Sequence, residues 1–141
     1  MPDSKSGSAG EIFKVITDMF SAFENHNIQE IEAALAEDCT VWDVFQPDLI
    51  RGREERVKFH EGDQEQMQAR GDLTMSISEP VIDIWGDTAL VRYVLSFDYT
   101  PPNPTSGQVR ITDVLRSTNG RWRIIHHHEG MMPSGVPPIT N

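Results

Sequence analysis

Residues 108–130, QVRITDVLRSTNGRWRIIHHHEG, read as a β-hairpin, and the rest of the fold can be worked out from them. Asn119-Gly120 is a tight-turn dipeptide set between two runs rich in β-branched and aromatic residues. Strand side chains alternate, so Val109, Ile111, Asp113 and Leu115 share one face while Arg110, Thr112 and Arg116 share the other. The apolar row is the one that protein should cover, and it contains an acid. A buried carboxylate costs several kcal/mol unless it is paired, hydrogen-bonded or protonated, so Asp113 is a candidate functional residue. Trp122 to His128 runs back as the partner strand and ends in three histidines. Counted from Trp122, alternation puts His126 and His128 on one face and His127 with Ile125 on the other.

Two further strands precede the hairpin, Leu73 to Ile84 and Thr88 to Tyr99, turned at Trp85-Gly86-Asp87. Glu79-Pro80 interrupts the first, which predicts a bulge or a strand edge, because proline has no N–H to give the ladder. Upstream, Thr40 to Phe45 reads as a strand ended by Gln46-Pro47-Asp48. Ile12, Val15, Ile16, Met19, Phe20 and Phe23 recur at helical spacing and predict an amphipathic helix over 10–26. Asn27 caps a short second helix through Ile28, Ile31, Ala34 and Leu35, with Glu30 placed as in a capping box. A third helix runs from Arg53 to about Ala69 and turns Val57, Phe59 and His60 to the core. Three helices and then antiparallel strands make an α+β fold, with the helices on one face of a curved sheet. The expected organisation is a disordered tail over 1–9, one domain over 10–130 and a Pro-rich tail over 131–141.

With 12 basic and 22 acidic residues, the net charge of -10 argues against nucleic acid or anionic membrane as a partner. The single cysteine, Cys39, excludes an intrachain disulfide, and no apolar run is long enough to span a bilayer. A cytoplasmic protein is expected. The chain has no Gly-rich phosphate loop, nucleophile elbow or familiar metal-ligand spacing, so neither cofactor nor metal is expected. The HHH run does not alter this, since adjacent strand histidines face opposite ways.

The stretches LAEDCTVWDVF (35–45), RGREERVKFH (51–60), YVLSFDY (93–99) and ITDVLRSTNGRWRIIHHH (111–128) resemble the nuclear-transport-factor-2-like superfamily, in its SnoaL-like and ketosteroid-isomerase-like branch. The resemblance implies a cone-shaped, cystatin-like α+β barrel whose curved antiparallel sheet wraps three N-terminal helices around a deep apolar pocket. It places Asp43 at the position of the isomerases' general base and Asp113 at that of a protonated acid donating to an oxyanion, a pattern of carboxylate tuning already described for that enzyme. The chain departs from the isomerases at Met19, where they carry an oxyanion-donating tyrosine. His60 falls where they often have a pocket tyrosine. Comparison with them turns Ile125, His127 and Glu129 to the pocket.

The expected function is cofactor-free acid–base chemistry, an isomerisation, cyclisation, dehydration or hydration of an apolar polyketide-, steroid- or terpenoid-like substrate. Asp43, Asp113, His60 and His127 are the expected catalytic residues. Met19, Phe23, Phe59, Tyr93, Leu95, Phe97, Val109, Ile111, Ile125 and Glu129 are expected to line the pocket. The alternative is a non-catalytic ligand-binding or association module of the same fold. In the association domains of calmodulin-dependent kinases, which the terminal hairpin also resembles, an arginine stands in place of Asp113. The family implies a homodimer.

Overall fold

The structure, a computed structural model, describes residues 4–68, 71–101 and 105–133. Along the chain these form α1 (Ser4–Glu24), α2 (Ile28–Ala33), β1 (Leu35–Trp42), β2 (Ile50–Arg51), α3 (Gly52–Gln68), β3 (Leu73–Ile77), β4 (Val81–Trp85), β5 (Thr88–Tyr99), β6 (Thr105–Thr118) and β7 (Arg121–Met131). Among the described residues, no helix is long and apolar enough to cross a membrane. The strands form one curved, unclosed sheet in the order β2-β1-β7-β6-β5-β3, with β4 also paired to β5. The result is the α+β cone of the cystatin-like folds.

Three differences from the sequence-based expectation concern the strands. The sheet is mixed, because β1 lies parallel to β7 while the other neighbours are antiparallel. Most of the chain separates these two strands, and no hairpin constrains their direction. The expected strand 73–84 is two strands, β3 and β4, which share one edge of β5 on either side of Ser78-Glu79-Pro80. β1 begins at Leu35 and ends at Trp42, leaving Asp43 just beyond the strand.

The first helix starts at Ser4, so residues 4–9 of the expected disordered tail are helical, while 1–3 lie outside the described residues. β7 extends to Met131, and the expected Pro-rich tail from residue 134 onward also lies outside them. Asn27 caps α2 as expected, its Oδ1 accepting from the Glu30 N–H at 3.1 Å.

The hairpin turn follows its dipeptide: Asn119 and Gly120 have φ of 54° and 77°, as a type I′ turn requires. Val109, Ile111, Asp113 and Leu115 of β6 are all buried, and Ala89, Val91, Tyr93 and Leu95 of β5 continue the same inner face. Ile12, Ile16, Met19 and Phe20 of α1 pack onto it. On α3 the innermost positions are Arg56 and His60, and Val57 is only half-buried.

Candidate functional site

A cavity of about 480 Å³ lies between the inner face of the sheet and helices α1 and α3. Met19, Phe23, Phe59, Leu95, Phe97 and Val109 form apolar wall, and Asp43, His60, His127 and Glu129 open onto it. Four expected site residues lie elsewhere. Tyr93, Ile111 and Asp113 are buried beneath the wall. Ile125 is absent from the lining because β7 is irregular there: Leu115 pairs with Ile124 and Val114 with His126, so Ile125 has no partner in the ladder. This bulge changes the phase of the strand, putting Trp122, Ile124 and His127 on the inner face.

Strand pairing assembles the polar groups. Asp113 lies directly opposite His127 across the β6–β7 ladder. Val41 and Trp42 pair in parallel with His127 and His128, and the next residues, Asp43 and Glu129, therefore come together at the cavity. The groups form a continuous chain. The Tyr93 hydroxyl donates to Asp113 Oδ2 at 2.5 Å, and Asp113 Oδ1 is 2.5 Å from His127 Nδ1. His127 Nε2 is 2.9 Å from Glu129 Oε2, and Glu129 Oε1 accepts from the Val44 N–H at 3.2 Å. Asp43 shares a hydrogen bond with Glu129 and accepts from the Phe45 N–H at 2.9 Å.

Burial, and then the neighbouring charge of Glu129, pushes the Asp43 carboxyl up from 3.8 to about 7. Burial works against a charged His127, but Asp113 and then Glu129 outweigh it and raise its pKa to about 10. Glu129 is buried as well, yet His127, the Val44 N–H and Asp43 hold its pKa below the ordinary glutamate value. Burial and Asp113 raise the Tyr93 phenol well above 10, so it remains a donor. At neutral pH His127 is therefore an imidazolium whose two N–H groups are taken by Asp113 and Glu129. Asp43 changes protonation near neutrality, which suits a group that both accepts and returns a proton. Asp113 does not occupy the expected place of a ligand-facing donor: both its oxygens are engaged, behind the wall.

Sequence reasoning missed Glu32 and Arg56. Both are buried, and Arg56 makes a bidentate pair with Glu32, Nε to Oε2 at 3.0 Å and Nη2 to Oε1 at 2.8 Å. A signal was present, since Arg56, Phe59, His60 and Asp63 recur at helical spacing along α3, and all four line the cavity. His126 stands on the opposite side of the sheet, its Nδ1 2.7 Å from Thr40 Oγ1. Among the described residues, no three His, Cys, Asp or Glu side chains are grouped to hold a metal.

Residues 12–134 match the SnoaL-like domain family. Among solved structures, a candidate scytalone dehydratase from Novosphingobium aromaticivorans is similar at a TM-score of 0.79 and 19% identity, over 92% of this chain and 87% of that one. A protein of unknown function from Pseudomonas putida, described as nuclear-transport-factor-2-like, has a TM-score of 0.76 and 23% identity over 87% of each chain. The association domain of Caenorhabditis elegans calcium/calmodulin-dependent protein kinase II has a TM-score of 0.73 and 20% identity, covering 92% of this chain and 100% of that one.

Proposed function

The chain belongs to the SnoaL-like domain family, within the nuclear-transport-factor-2-like superfamily, and we propose that it is a cofactor-free acid–base enzyme acting on a small, largely apolar ligand. The observation that carries this reading is Asp43, a cavity-wall carboxyl poised at about 7 and joined through Glu129 to the buried His127–Asp113 pair. Ionised Asp43 removes a proton next to a carbonyl, and its protonated form returns that proton. Return to a second carbon completes an isomerisation; delivery to a departing hydroxyl completes a dehydration. The candidate dehydratase among the structural neighbours favours the second outcome. Charged His127 stabilises Glu129 as an anion, which keeps one proton available between Glu129 and Asp43. The apolar walls exclude water from the transfer.

Assayed by loss of water from hydroxylated cyclic ketones, Asp43→Asn should lower kcat/KM by about 10²- to 10⁴-fold, the usual worth of a positioned acid–base group, while leaving the fold intact. With Asp43 acting as the base, wild-type kcat/KM should rise with pH through an inflection near 7. A fully active Asn variant would remove Asp43 from the reaction.

A second reading, a ligand-binding or association module, is favoured by the kinase association domain among the neighbours and by exposed apolar residues on β4, Val81 and Trp85. Binding in the cavity without turnover by the wild type would decide for it. Under either reading we propose that the chain forms a homodimer through the outer face of its sheet.

A further inference from the structure

We infer that the cavity selects its ligand by sign of charge, admitting an uncharged or cationic group and rejecting a carboxylate or phosphate, with Glu129 and Asp63 as specificity-determining residues. The inference rests on reading the cavity as a ligand site, and it adds the charge class of what enters. Three basic residues, Arg56, His60 and His127, belong to the lining, together with three acidic ones, Asp43, Asp63 and Glu129. By composition the wall is balanced. Its basic nitrogens, however, are all withdrawn from the cavity. Arg56 directs Nε and Nη2 at Glu32 Oε2 and Oε1, at 3.0 and 2.8 Å, and Nη1 at the carbonyls of Glu37 and Cys39, at 3.1 and 2.7 Å. His127 has Nδ1 against Asp113 and Nε2 against Glu129. Both ring nitrogens of His60 are shut off from solvent, so neither opens into the cavity.

A carboxylate or phosphate is held best by a charged donor, and the wall presents none to it. The other donors on the lining, Gln46, Gln66 and Thr105 among them, carry no charge. The acids are not offset in the same way. Glu32 answers Arg56 and Asp113 answers His127, which leaves Glu129 an anion without a cation of its own. Arg53 reaches Glu32 from the surface at 3.7 Å and is not part of the lining. Asp63 lies close enough for its charge to act on Asp43, and each proton that Asp43 loses adds charge of the same sign. The potential inside the cavity is therefore negative, and its apolar walls strengthen it. The ligand is an uncharged or amine-bearing compound, with no carboxylate or phosphate on the part that enters.

The test uses three probes that share one ring system: 2-naphthol, 2-naphthoate and 2-naphthylmethylammonium, titrated into the protein by calorimetry at neutral pH. Any ion sheds water on entry, so the difference between the two signs is what reports the charge of the cavity. The ammonium and the naphthol should each bind the wild type at least about tenfold tighter than the carboxylate. Asp63→Asn and Glu129→Gln should each narrow the gap between ammonium and carboxylate by about threefold. Asp63→Asn, on the half-buried side of α3, keeps the test open should the β7 variant fail to fold. A gap unchanged in the folded variants overturns the inference. Equal binding of both ions by the wild type means that desolvation alone discriminates, and it overturns the inference while the ligand-site reading stands. Failure of all three probes to bind the folded wild type overturns the ligand-site reading itself, and the charge selection with it.

Discussion

His127 sits between Asp113 and Glu129, and the proton it carries links the site to folding. With its pKa raised from 6.5 to about 10, its contribution to stability is full below pH 6.5 and is lost as the pH rises toward 10. Asp43 acts with the same sign in a lower window, full below 3.8 and lost by about 7. Glu32 acts oppositely: lowered from 4.5 to about 2, it contributes above 4.5 and the contribution is lost as the pH falls to 2. Between pH 7 and 9, the wild type should therefore lose about 2 kcal/mol of unfolding free energy in urea titrations. His127→Gln should flatten that slope, and equal slopes in the two proteins would discard His127 as its source. At this scale the sequence exposed the problem, since Asp113 stood in an apolar row with nothing beside it to neutralise it. Its partner was hidden, because Ile125 bulges out of the ladder and no periodicity within β7 marks where alternation changes phase.

Arg56 joins three elements, reaching from α3 to Glu32 on α2 and to the Glu37 and Cys39 carbonyls of β1. Arg56→Met should cost about 3–5 kcal/mol in chemical denaturation, because Glu32 would be left charged and buried without its partner. Adding Glu32→Leu should recover most of the loss, and a double variant as unstable as the single one would show that packing by the arginine stem matters more than its charge. The helices were legible from their apolar spacing and the hairpin from Asn119-Gly120. The Arg56–Glu32 pair was not, because both residues read as surface charges on elements whose facing sides become known only once they pack together. The same holds for Asp43 and Glu129: each was visible as a candidate, but their contact depends on β1 running parallel to β7, a pairing between segments far apart in the chain.

For the molecule as a whole, Val81 and Trp85 of β4 are 57% and 61% exposed on a chain of net charge -10, a charge that opposes self-association unless apolar contact outweighs it. Sedimentation should give twice the chain mass at micromolar concentration, and Trp85→Glu should shift it to the monomer; a wild-type monomer at high concentration would remove the proposed dimer. The class of fold was decided by local sequence. Helical spacing in three segments, strand alternation in the rest and one tight-turn dipeptide leave few ways to bury the apolar faces, and the α+β cone is the one adopted. What only the tertiary structure decided is which polar groups meet. Hydrogen bonds and pKa shifts depend on separations of a few ångströms between distant residues, and here one bulge, one parallel strand pair and one buried arginine set those separations. They turned Asp113 from a ligand-facing donor into the partner of His127, and left Asp43 beside Glu129 at the cavity wall.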